Sequence, residues 1–313
     1  MRSGVRILGP GGVLRALLVV TASVLTVMVA TSSHSAIERR PVLTKKGIGE
    51  FLPARGGDWL TWQENSRSRL SHYDVFARRD GGRRFRVNAV GEGAVGGIDG
   101  SLLVYQQWKG GQSNIRFMDL ATRQRFSPRV FINSKLWEYW PSISGDWVLF
   151  GRRNAASTRR KIFLFNRSTL KHRILDLTAS PETVLLPGQV NGNWAVWHRC
   201  KPPTKCDVYR YNINLRVVKR IPNPSDRSQY AASVTLRGTV FFARGSRECG
   251  RNVSLMRYTP GGGLRKLTVL RPRRDVGDTY AATTARGDTA LFFEQNTCDQ
   301  VRKGTDVFKI RFI

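Results

Sequence analysis

The feature that most constrains this 313-residue sequence is internal repetition. Six segments share one layout: a small-residue approach, a tight turn containing Gly, an apolar strand, a variable polar loop and a second, alternating strand. The apolar strands are predicted at Trp59 to Trp62, Ser101 to Tyr105, Trp147 to Phe150, Trp194 to Trp197, Thr239 to Phe242 and Thr289 to Phe293. Their starts lie 42, 46, 47, 45 and 50 residues apart. The turns before them read Gly-Gly-Asp, Ile-Asp-Gly, Ser-Gly-Asp, Asn-Gly-Asn, Leu-Arg-Gly and Arg-Gly-Asp.

The second strands follow as Tyr73 to Phe76, Asn114 to Phe117, Lys161 to Leu164, Asp207 to Arg210, Val253 to Met256 and Asp306 to Lys309. Each of the first five leads through another turn into a basic outer segment: Arg83 to Val87, Gln124 to Pro128, His172 to Leu175, Val217 to Ile221 and Leu264 to Val269. With the approach segment as the innermost strand, each unit has four strands, a to d from inside out, which is the blade of a β-propeller. Strand b is apolar at nearly every position because neighbouring blades cover both its faces; a half-exposed strand would alternate. The sixth unit ends at Ile313, directly after its strand c, so the outer strand must come from elsewhere. Arg40 to Lys46 matches the outer strands in length and charge and is expected to complete the last blade, leaving no open seam in the ring. The predicted fold is all-β: a six-bladed β-propeller of four-stranded antiparallel blades over residues 37–313, the last blade closed by an N-terminal strand.

Pro141-Ser142-Ile143-Ser144-Gly145-Asp146-Trp147-Val148-Leu149-Phe150, followed by Lys161 to Phe165, resembles a degenerate copy of the repeat of TolB-like six-bladed propellers. In that family a Ser-Pro-Asp-Gly turn leads into an apolar strand and then an Ile/Val-aromatic strand. No unit here has the full Ser-Pro-Asp-Gly, and TolB's N-terminal α/β domain has no counterpart. The resemblance implies the fold and, by analogy, a scaffold that binds without catalysis.

Residues 1–36 read as an export signal or an N-terminal anchor. Arg2, Arg6 and Arg15 precede an uncharged run from Ala16 to Ala30, and a small-residue stretch follows to Ala36. The run is short for a permanent bilayer span. Membrane contact is expected only through an uncleaved anchor, and the protein is expected outside the cytoplasm, secreted or at the envelope. Export makes the four cysteines readable as two bridges with three possible pairings. Cys200 and Cys206 flank Lys-Pro-Pro-Thr-Lys, a turn-forming insert, which favours that pair and leaves Cys249 with Cys298 across the fifth and sixth blades.

Glu50, Glu92 and Glu138 each stand nine residues before the first strand-b residue of their blade, and Leu185, Tyr230 and Tyr280 hold that place later in the chain. Three carboxylates where strand a enters the channel suit a cation, a cationic ligand or acid–base work; as solvated rim charges they would do none of these. Calcium is the one cofactor this set would take, and otherwise none is expected. Trp137, Tyr139 and Trp140 precede the third strand a, and with Tyr230 and Tyr280 they suggest an aromatic mouth for sugar or peptide, or else core packing.

The net charge of +30 includes a recurring group of basic residues on or beside the outer strands. Arg83, Arg84, Arg86, Arg123, Arg125, Lys171, Arg173, Lys219, Arg220, Arg265 and Lys266 form a cationic belt, either guarding exposed strand edges or adhering to an anionic polymer or surface. Nucleic acid would bind such a belt only nonspecifically. His72, His172 and His198 are too dispersed for a three-His metal site, and no Gly-x-Ser-x-Gly elbow is present. The sequence therefore points to a monomeric, noncatalytic scaffold engaging an envelope protein or anionic polymer. The competing class is a channel-mouth lyase, lactonase or glycosidase using the three glutamates.

Overall fold

A strand buried on both faces must present apolar side chains to two different neighbours, and strand b of every unit does so. The computed structural model describes residues 38–311 apart from 44–47, 67–68, 128–130, 155–158, 202–204, 246–252, 271–273, 284–288 and 298–304. An N-terminal strand, β1 (Glu38–Leu43), precedes the first blade, which contains β2 (Ile48–Gly56), β3 (Trp59–Ser66), β4 (Arg69–Arg79) and β5 (Phe85–Arg86). The second has β6 (Gly93–Asp99), β7 (Leu102–Lys109), β8 (Gln112–Asp119) and β9 (Arg125–Phe126). The third has β10 (Trp137–Ser144), β11 (Trp147–Arg153), β12 (Arg160–Asn166) and β13 (His172–Thr178). The fourth has β14 (Val184–Asn191), β15 (Trp194–Lys201), β16 (Lys205–Asn212) and β17 (Val217–Arg220). The fifth has β18 (Ser228–Val234), β19 (Val240–Gly245), β20 (Ser254–Thr259) and β21 (Gly263–Val269). The sixth has β22 (Arg274–Thr283), β23 (Thr289–Thr297) and β24 (Thr305–Arg311).

Each blade is a four-stranded antiparallel sheet, and the described residues contain no helix. The expected ring closure is present: β1 pairs with β24, with Arg40 opposite Lys309 and Pro41 opposite Phe308, so the sixth sheet runs β1-β24-β23-β22. Inner strands β2, β6, β10, β14, β18 and β22 contact one another in turn, and β22 returns to β2.

The core lies in the seams between blades. Val148 and Phe150 of β11 pack with Val104, Ile115 and Phe117 of the second blade, while Leu149 between them packs with Leu185, Val190 and Trp197 of the fourth. Val196 then joins Val240, Phe242 and Met256 of the fifth blade, and Phe241 joins Leu291, Phe293 and Ile310 of the sixth. Alternate residues of one strand thus serve two seams, which is why the strand shows no polar face. Trp62 and Trp197 are fully buried in this way.

Candidate functional site

The innermost strand of every blade carries a β-bulge at the same level. Residues 52–53, 96–97, 140–141, 188–189, 231–232 and 277–278 each lie as a pair opposite one strand-b residue. Those opposing residues are Trp62, Val104, Phe150, Val196, Phe242 and Glu294. A bulge bends its strand and strengthens its twist. Here it divides each inner strand into a half toward the mouth, where blades connect and the b–c loops lie, and a half toward the opposite end. Leu52, Trp140 and Ala231 take positive φ at this level. Gly96 and Gly188 have no space for a side chain: a Cβ would come within 2.3 Å of the Pro141 carbonyl oxygen and 2.4 Å of that of Ala232.

The bulges surround a central cavity of about 100 Å³, lined by Pro53, Gly97, Pro187, His198 and Tyr230 among others. Polar side chains of its lining also join one blade to another. Gln189 donates from Nε2 to the Ala281 carbonyl (2.8 Å) and accepts at Oε1 from Val234 N–H and Ala281 N–H (both 3.2 Å), linking the fourth blade to the fifth and sixth. The Tyr280 hydroxyl donates to the Ile98 carbonyl of the second blade (2.9 Å), and burial holds its pKa well above the usual phenol range. Thr279 donates to the Ala231 carbonyl (2.5 Å). These bonds tie the inner strands of the second, fourth, fifth and sixth blades to one another.

The bulge register redistributes the acidic residues singled out in the sequence. Glu50 and Glu138 occupy the same rung, opposite Glu64 and Arg152, but the corresponding residue of the second blade is Ala94 and of the fourth Leu186. Glu92 lies two residues outside the rung, accepting from Gln107 Nε2 (3.2 Å). Glu138 is fully buried. Its Oε1 accepts from Arg152 Nε (2.8 Å) and from the Ser134 hydroxyl (2.6 Å). Arg152 also donates to the carbonyls of Phe131 and Ile132 and lies over the rings of Phe131, Phe150 and Phe163. Desolvation raises the Glu138 pKa despite these partners and lowers that of Arg152. Glu50 is buried too. No group of three His, Cys, Asp or Glu side chains poised for a metal occurs among the described residues.

Aromatic residues, by contrast, converge. A cleft of about 290 Å³ opens at the mouth between the second, third and fourth blades, lined by Trp108, Trp137, Tyr139, Trp140, Arg153 and Arg160 with Gln106 and the backbone-proximal Val184 to Leu186. Trp140 is 37 % exposed at the bulge. A buried polar chain fixes its strand: Trp140 N–H donates to Gln106 Oε1 (3.3 Å), Gln106 Nε2 to Ser113 Oγ (2.6 Å), and Ser113 to the Glu138 carbonyl (2.5 Å). Gly151 leaves space for the Tyr139 ring, whose hydroxyl donates to the Leu185 carbonyl (2.8 Å). Burial drives the Tyr139 pKa up, and the charges of Arg160 and Arg153 oppose it. Arg153 lies 4.6 Å from the centre of the Trp137 ring. Tyr230 and Tyr280 line the central cavity and are buried, away from this cleft.

Sequence reasoning named Trp137, Tyr139 and Trp140 but missed Trp108, Arg153 and Arg160. The available signal was the pair Arg152-Arg153 before, and Arg159-Arg160 after, the b–c loop of the third blade. All eleven belt residues are exposed, on or beside the outer strands of five blades. Three are engaged within their own blade, Arg84 with Glu64, Arg220 with Asp207 (2.7 Å) and Arg86 with Asp74 (3.6 Å), and Arg173 of the third blade donates to the Tyr211 hydroxyl of the fourth (2.8 Å).

Cys200 and Cys206 form a disulfide between directly opposed residues of β15 and β16. Cys249 and Cys298, and residues 1–36 with their expected export signal or anchor, lie outside the described residues.

No protein-family model matches the sequence, and neither does any curated protein. Solved structures do match. TolB from Acinetobacter baumannii aligns with TM-score 0.51 at 14 % identity over 86 % of this chain and 65 % of that one, so this chain spans less than two thirds of it. The β-propeller domain of the Trilobed protease from Pyrococcus furiosus, described as having an open velcro topology, aligns at 0.53 and 13 % identity over 86 % and 94 %. An oligogalacturonate lyase in complex with manganese gives 0.53 and 7 % over 88 % and 96 %. At these identities the likeness is one of architecture: the chain is a six-bladed β-propeller whose fold aligns with TolB and with these two proteins.

Proposed function

We propose that this protein is an exported, noncatalytic binding scaffold of the cell envelope that engages a partner through the mouth of its propeller. The observation that carries the reading is the cleft itself: indole faces and guanidinium groups brought together from two blades and held by a buried hydrogen-bond chain. Such surfaces combine large contact area with directional charge, the composition that dominates binding energy at interfaces. Glu138, which acid–base chemistry would need at the mouth, is engaged with Arg152 inside the third blade. The Cys200–Cys206 bridge supports an oxidising, extracytoplasmic compartment. The belt offers a second, weaker surface for anionic polymer.

The test is affinity capture from envelope extract on residues 37–313, beside a Trp140→Ala variant, at low and moderate salt. A partner retained at moderate salt and lost in the variant is expected. Capture of anionic polymer alone, released by salt and indifferent to Trp140, would move the working surface to the belt. Turnover of a carbohydrate or lactone would refute a noncatalytic role.

A further inference from the structure

Arg153 and Arg160 are directly opposite each other across β11 and β12, both line the cleft, and both are partly buried. Like charges in directly opposed positions of an antiparallel pair destabilise it. On the neighbouring rung Arg152, opposite Lys161, is met by Glu138. Here the cleft lining contains no carboxylate, and among the described residues neither guanidinium has an acidic partner. The remaining walls are flat and apolar: Trp108, Trp137 and Trp140. Other polar groups are already engaged, since Gln106 is bonded at both its oxygen and its nitrogen and the Tyr139 hydroxyl is given to Leu185.

We infer that this cleft is a carboxylate-binding site for an anion with a flat apolar body, either the free C-terminus of a peptide ending in an aromatic residue or a free aromatic acid. The inference rests on the proposal that the mouth is a binding surface and names what it recognises. Two adjacent guanidiniums supply the charge-assisted donors that a carboxylate takes best, and their mutual repulsion is relieved when an anion sits between them. The indoles supply stacking area. A sugar fits the same walls poorly, because ring hydroxyls need several neutral donors and acceptors that the cleft does not hold in reserve. A volume of about 290 Å³ holds one or two residues, at the small end of ligand sites.

The experiment is calorimetric and tryptophan-fluorescence titration of residues 37–313 with acetyl-Ala-Ala-Phe as the free acid, the same peptide as its C-terminal amide, and phenylacetate. The free acid is expected to bind about tenfold or more tightly than the amide, because the amide offers no anion. Phenylacetate equal to the peptide would identify the source as a free aromatic acid; a clear preference for the peptide would identify a C-terminus. Arg160→Gln is expected to weaken the acid about tenfold while leaving Tm unchanged or higher, since it removes a like-charge pair. A merely structural Arg160 would lower Tm and leave the acid-to-amide ratio intact. Arg125→Gln, on the belt, is expected to change nothing. Equal binding of acid and amide, or no binding of either, overturns the inference. If Trp140-dependent capture of a partner persists in that case, the scaffold reading stands without it; if capture fails as well, both fall.

Discussion

The Glu138–Arg152 pair tests the structural reasoning most sharply, because it lies beneath the cleft and both charges are withdrawn from water. Arg152 is 10 % exposed and Glu138 not at all. Glu138→Leu leaves the guanidinium with two carbonyls and three aromatic rings but no countercharge; Arg152→Met leaves a fully buried carboxylate with one hydroxyl. Stranding one member of a buried pair costs about 3–5 kcal/mol. At roughly 2–4 °C per kcal/mol for a chain approaching this size, each single variant should lose on the order of 10 °C in Tm. The double variant removes the uncompensated charge altogether. What then remains is the loss of donors to the Phe131 and Ile132 carbonyls and of the acceptor for Ser134, about 1–3 kcal/mol in all. The double variant should therefore be about as stable as the better single variant, or more so, and a urea-denaturation cycle should give a coupling of about 2 kcal/mol or more. Effects that add to within about 0.5 kcal/mol would mean that the pair does not act as a unit, and the account of how β10 is held would be wrong.

Further outcomes follow from the same geometry. Because burial raises the Glu138 pKa above its ordinary 4.5, the folded state binds this proton more tightly than the unfolded chain. Its contribution to stability is thus complete below pH 4.5 and declines as the pH rises through the elevated value; comparing the pH dependence of urea midpoints with Glu138→Gln isolates it, and an unchanged profile refutes the assignment. Opening the Cys200–Cys206 bridge by Cys206→Ala should cost about 2 kcal/mol, the modest value appropriate to so short a loop, and a mass spectrum of the unreduced digest should show those two residues joined. Gly188→Ala places a methyl against the carbonyl oxygens of Ala232 and Val196, so a loss of about 1–3 kcal/mol is expected in thermal melts. Neutralising Lys171, Lys219 and Lys266 together should reduce any binding of anionic polymer and its salt sensitivity while leaving mouth binding unaltered.

Much of the fold was legible because a propeller repeats its local instructions. An apolar strand after a glycine turn, six times over, states both the blade and its two-sided burial, and the short Pro-Pro insert between Cys200 and Cys206 states a hairpin. The missing outer strand of the sixth unit announced β1. Spacing failed where the chain stops being regular. Three residues follow the bulge before the turn in the first and third blades, Ala54 to Gly56 and Ser142 to Ser144, but two do in the second and fourth, Ile98-Asp99 and Val190-Asn191. A constant count of nine therefore reaches one rung for Glu50 and Glu138, whereas in the second blade this one-residue difference and a strand b that begins at Leu102, one residue after Ser101, put Glu92 two residues outside it.

What the sequence alone determined was the set of strands, their order and which faces are dry, since those follow from composition at period two and from turn chemistry within a few residues. What only the tertiary structure decided was which side chains meet. Gln189 reaches a blade two positions away, Tyr280 crosses to Ile98, and Arg153 and Arg160 stand opposed below three indoles from two blades. These contacts depend on bulges, ring closure and blade-to-blade packing, which set distances between residues far apart in the chain and leave almost no trace in the spacing of any one repeat.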